Sequence, residues 1–184
     1  MIHPSPTPKL EYAGTLTRLK KCVAQANAVL ADPMFRKLIL EHSAFDNTKF
    51  TNLEVYTYLA NNPTVVQVIT FKKLFGRVNG RTSSAKRIGI NSKRLDRSLA
   101  SIVNTIIHEY VHAVDFGLKK SPKDPLQMTH YNNENNGEED NTVPWAVGLI
   151  AQRMSAETVS TLRNLQLKQE KKEGLKRTAR ASAR

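Results

Sequence analysis

LASIVNTIIHEYVHAVDF, residues 99–116, is the stretch on which the reading of this chain turns. Leu99, Ile102, Val103, Ile106, Ile107, Tyr110, Val111 and Val114 recur at the three- and four-residue intervals of one helical face. The pattern predicts an amphipathic helix from about Arg97 to Phe116, closed by Gly117. At about 100° per residue, His108 and His112 fall opposite that stripe, about 40° apart. Thr105 and Asp115 share their side, and Glu109 lies at its edge. A histidine serving the core would sit within the stripe, and these two do not.

Two imidazoles at i and i+4 point the same way one turn apart, so both can reach one metal ion. Glu109 lies between them, where a carboxylate can take a proton from a metal-activated water and pass it to a leaving amine. A catalytic zinc needs a third protein ligand and an open position. Downstream, the candidates are His130, 18 residues after His112, and the acidic cluster Glu138, Glu139 and Asp140. Asp115 is a candidate outer partner, able to accept the second N–H of a ligating histidine. His3 and His42 stand alone and carry no metal assignment.

Outward from the motif, the chain divides by periodicity. Leu16, Leu19, Val23, Ala26 and Leu30 predict a helix ending near Asp32-Pro33. Met34, Phe35, Leu38 and Ile39 predict a short second helix. Thr51 and Glu54 form a capping-box pattern for a third, stopped by Asn61-Asn62-Pro63. Val65 to Phe71 is β-branched and aromatic and reads as a strand, Gly76 and Gly80 bracket a turn, and Arg87–Asn91 reads as a second strand. Lys119 to Asn141 is a long polar loop, and a final helix covers Ala146 to Leu162. The expectation is an α+β fold: a small mixed sheet on the motif helix, with N-terminal helices and a C-terminal helix. Residues 1–14 are a Pro-rich, unstructured start, 15–163 one domain, and 164–184 a basic flexible tail.

The 184 residues carry 28 Lys and Arg against 16 Asp and Glu, a net charge of +12. Eight basic and two acidic residues fall between Arg163 and Arg184, so half the excess sits in the last 22 residues. Such a tail is attracted to nucleic acid or other polyanions. One cysteine, Cys22, excludes a disulfide framework and a Cys-rich zinc finger. No apolar run approaches the ~18 residues of a membrane span, and the N-terminus lacks the basic and apolar regions of a Sec signal. The expected location is cytoplasmic, or outside the cell by a non-Sec route.

His108-Glu109-Tyr110-Val111-His112, preceded by a strand ending Ile88-Gly89-Ile90-Asn91, resembles the core of the zincin metallopeptidases over roughly residues 64–160. The resemblance implies a mixed sheet packed on the motif helix, one zinc ion, and an edge strand that aligns the substrate backbone. Arg87–Asn91 is the strand expected in that last role. Short size and the His112-Ala113-Val114-Asp115-Phe116 continuation resemble the SprT/Spartan-like proteases and small bacterial effector peptidases. A third histidine ligand would match the SprT-like pattern, although at longer spacing and without its Gly-rich context. A carboxylate third ligand, from Glu138, Glu139 or Asp140, would make the site gluzincin-like. The absence of a His-x-x-Gly-x-x-His continuation excludes the metzincin subclass.

The leading expectation is therefore a zinc-dependent endopeptidase acting on a protein or peptide. Alternatives are a basic nucleic-acid-associated protein with a structural or inactive zinc site, and a translocated toxin or effector protease.

Overall fold

The computed structural model describes residues 8–74, 76, 78–121, 123–130, 141–158 and 160. In chain order the elements are β1 (Leu10–Glu11), α1 (Thr17–Ala31), α2 (Pro33–Leu40), α3 (Asn52–Asn61), β2 (Val66–Phe71), β3 (Gly80–Ser84), β4 (Arg87–Asn91), a single 3-10 turn (Ser92–Arg94), α4 (Leu99–Leu118) and α5 (residues 143–158). Among the described residues the fold is α+β, with five α-helices and a four-stranded mixed sheet ordered β1-β2-β4-β3. No described helix is long and apolar enough to cross a membrane.

Local signals explain most boundaries. Asp32 caps α2 through Met34 N at 2.8 Å, with Pro33 in the first turn, where its missing N–H costs nothing. Thr51 and Glu54 complete a reciprocal capping box on α3. Ser98 caps α4. The helix runs through Gly117 to Leu118, so Gly117 is not its terminator; the chain leaves in an extended conformation at Lys119.

β2 and β4 pair in parallel, Gln67 opposite Arg87 through Phe71 opposite Asn91. Ile88, Gly89, Ile90 and Asn91 are all buried, as expected for a strand covered on both faces. β3 runs antiparallel to β4 from the turn at Ala85–Lys86, with an irregularity between Thr82 and Ser84. Arg87–Asn91 is consequently an interior strand with both backbone edges occupied, and not the substrate edge expected for it. β3 lies at the sheet margin beside β4, in residues the sequence reading left without an element between the turn at Gly76 and Gly80 and the strand at Arg87.

At the other margin, Leu10–Glu11 pairs with β2 inside the stretch read as an unstructured start. Leu10 is buried, and the Asn27 side chain from α1 accepts from Lys9 N and Leu10 N and donates to Leu10 O. Burial and three hydrogen bonds together outweigh the entropy of ordering two residues. Residues 1–7 of that start, and the basic segment 161–184, lie outside the described residues.

α4 is the centre of the core. It packs on β3 and β4, on α1 and on α3. Ile102, Val103, Ile106, Ile107, Tyr110 and Val111 are all fully buried. Tyr110 satisfies its hydroxyl on Leu59 O at 2.9 Å, which makes it the packing aromatic the sequence suggested. On another face α5 comes close: a Cβ on Gly148 would meet Asn104 Oδ1 at 2.8 Å, and Asn104 donates to Gln152 at 2.8 Å. The motif residues thus sit on a helix held from several sides.

Candidate metal centre

His108 and His112 project from successive turns of α4 toward His130, which enters from the loop after that helix. His130 Nε2 lies 3.0 Å from His112 Nε2 and 3.1 Å from His108 Nε2. The three ligand atoms are all within 4.8 Å of one another, close enough to hold a metal ion. Nitrogens 2.0–2.1 Å from a tetrahedral ion stand about 3.3 Å apart, so the spacing fits such an ion with little adjustment. A single shared proton could bridge only one of these pairs, whereas one cation satisfies all three nitrogens.

The electrostatics prepare the same donor set. Burial, followed by the charges of His112 and His130, holds His108 well below its ordinary value. Burial and His130 lower His112 to about 4, against a hydrogen bond with the Met128 backbone that favours its protonated form. Neutral imidazole is the form that ligates, so at neutral pH no proton need be displaced from His112.

Around the rings the supports are specific. Since Nε2 of His112 faces the cluster, the bond with Met128 falls to Nδ1, and Met128 takes the outer position expected for Asp115. Asp115 acts one step further out. Its carboxylate accepts from Gln127 N at 2.9 and 3.0 Å and from Met128 N at 2.7 Å. It is 1% exposed, and burial raises its pKa against those hydrogen bonds. The residue shapes the loop that carries His130 and does not orient a ring directly. Trp145 sets its ring edge-on to His108 at 5.1 Å and to His130 at 6.2 Å. Thr142 Oγ1 lies 3.4 Å from His130 Nδ1. Glu138, Glu139 and Asp140 lie outside the described residues.

Glu109 and His108 line a cleft of about 520 Å3, together with Gly80, Arg97, Asn104, Thr105, Trp145 and Gln152 among others. Glu109 is 8% exposed. Thr82 on β3 donates to its Oε2 at 2.7 Å and to its backbone oxygen at 2.9 Å. Burial raises the Glu109 carboxyl to about 7, opposed by the Thr82 hydrogen bond. Gly80 makes room for it: an added Cβ would fall 2.7 Å from both Cγ and Oε1 of Glu109. Arg97 lies on the same cleft wall, its Nη1 donating to Thr105 Oγ1 at 3.1 Å and Ser101 Oγ at 3.0 Å. The sequence reading used Gly80 only as a turn bracket and passed over Thr82; their one trace as a strand is the period-two run Gly80, Thr82, Ser84.

Compared with protein-family models, with curated proteins and with solved structures, the chain matches none.

Proposed function

We propose that this chain is a zinc-dependent peptidase of zincin-like architecture, with His108, His112 and His130 as ligands and Glu109 as general base. One observation carries the reading: three imidazole nitrogens converge at ligand spacing while His108 and a buried carboxyl from the next residue share one cleft. Three neutral imidazoles are a known catalytic zinc set, and they leave a fourth position open. Bound there, zinc would bring a water molecule's pKa toward ~7 and polarise the scissile carbonyl.

The chain's own groups do the rest. Burial raises Glu109 to about 7 in the metal-free chain, and a dication held by the neighbouring imidazoles would draw it back down, toward the ionised form a general base needs. Glu109 takes a proton from the attacking water and delivers it to the leaving amine. Thr82 fixes the carboxylate, so the base is oriented before substrate arrives. β3, at the sheet's edge, is the strand along which an extended peptide would lie, in place of Arg87–Asn91. With His130 as third ligand, the site takes the all-histidine form and needs none of the acids at 138–140.

The test is Glu109→Gln in the purified chain loaded with zinc. Zinc content should match wild type and the variant should remain folded, while cleavage of an unfolded protein substrate falls by about 10²–10⁴-fold. Undiminished cleavage would refute the assignment. Wild-type protein with no peptidase activity and tight, salt-sensitive DNA binding would instead favour the reading of a nucleic-acid-associated protein with a structural metal.

A further inference from the structure

Residues 44–47, between α2 and α3, bind both described stretches that flank residues 131–140. Asn47 Nδ2 donates to Thr129 Oγ1 at 2.7 Å, to His130 O at 2.9 Å and to Thr129 O at 3.3 Å. Asp46 N donates to Asn141 O at 3.1 Å, Asp46 forms a parallel bridge with Thr142, and Asn141 Nδ2 donates to Ala44 O at 2.7 Å. The segment has a firm base, because Phe45 is buried and stacks on His42 at 4.8 Å. Asn47 adopts φ of 53°, a left-handed conformation that asparagine tolerates better than most residues.

We propose that Asn47 is a positioning residue for the metal site, its side-chain amide fixing the Thr129–His130 backbone so that the third imidazole is preorganised against His108 and His112. The inference rests on the reading of the three histidines as ligands. A ligand on a loop loses conformational freedom when it binds, and an amide bonded to its own carbonyl removes much of that loss beforehand. Outer partners of this kind typically change metal affinity by about 10–100-fold.

Two substitutions isolate the amide. Asn47→Gly removes it and suits the left-handed backbone, so folding should be little affected. Asn47→Asp keeps size and shape but has no N–H to give the two carbonyls. Zinc alone is titrated into the full chain against a chelator of known affinity, with fluorescence of Trp145, the single tryptophan, as a second readout. Both variants should bind zinc about 10–100-fold more weakly, with metal-free unfolding close to wild type. In a His130→Ala background, Asn47→Gly should cause no further loss, because its effect passes through that ring. Wild-type affinity in both variants, or an equal loss with and without His130, overturns the proposal. If His108→Ala and His130→Ala themselves bind zinc as wild type does, the ligand reading fails first and the proposal falls with it.

Discussion

Replacing Glu109 by Gln should make the metal-free protein progressively more stable than wild type as pH rises. The Glu109 carboxyl moves from an ordinary 4.5 to about 7 on folding. A raised folded-state pKa means the folded chain favours the protonated form. The associated stability is fully present below 4.5 and is lost as pH rises through 7. At about 1.4 kcal/mol per unit, integrating both titrations from pH 5 to pH 8 gives a loss of about 2.5 kcal/mol in wild type and none in the variant. For a domain of this size that is a widening of about 5–10 °C in Tm. His112 works in the opposite sense. Its lowered pKa gives stability present above 6.5 and lost as pH falls through about 4, but that contribution is common to both proteins and cancels in their difference. Glutamine can still accept from Thr82 through its carbonyl oxygen, so the substitution removes the charge with little loss of contact. Thermal or urea unfolding in the presence of a chelator, at half-unit pH steps, measures the difference directly. Parallel curves for the two proteins would show that Glu109 is not held in a desolvated site, and the account of a buried carboxyl would fail.

Other expectations follow from the same geometry. Gly80→Ala drives a Cβ to 2.7 Å from the Glu109 side chain. It should cost about 1–3 kcal/mol and depress peptidase activity while leaving zinc stoichiometry intact, as judged by unfolding, turnover and metal analysis. Asp115→Asn can keep one oxygen for Gln127 N and Met128 N but sets an N–H donor where Oδ1 stood, 3.0 Å from Gln127 N, and removes the charge. The expected cost is about 1–3 kcal/mol in urea unfolding, with weaker zinc binding because the His130 loop loses its brace. Adding zinc should change the fluorescence of Trp145 in wild type, and the change should disappear in His108→Ala, since the indole stands edge-on to that ring.

Helix α4 was legible because two independent signals coincide in it: an apolar stripe set by packing, and polar residues displaced from the stripe. β4 was legible as a strand from its apolar pair at Ile88 and Ile90, whereas its interior place in the sheet was not. β3 was not, and the reason is physical. Its less exposed positions are Gly80, Thr82 and Ser84, the first two against Glu109, and they leave no alternation of apolar side chains to read. Strand β1 went unread because two residues are too few for a pattern; long-range bonds from Asn27 define it. The histidine cluster was half visible. His108 and His112 share a face by helical geometry, whereas His130 is brought in by a loop whose course depends on Asp115, Asn47 and Met128, contacts that no local spacing encodes. Asp115 shows the limit well: its place on the histidine side suggested a bond to a ring, and tertiary structure gave it two backbone amides instead.

The polar inner row of β3 has one more consequence. An exposed sheet edge is a template for self-assembly, and a strand that is to receive peptide, as proposed for β3, cannot be buried to prevent it. Here the outward Arg81 stacks over Phe71 at 4.3 Å, the ladder is interrupted between Thr82 and Ser84, and no aliphatic side chain lies along the strand. A second copy of the same strand would gain almost no apolar burial by docking there, so runaway polymerisation through this edge is disfavoured while a single guest chain can still be admitted.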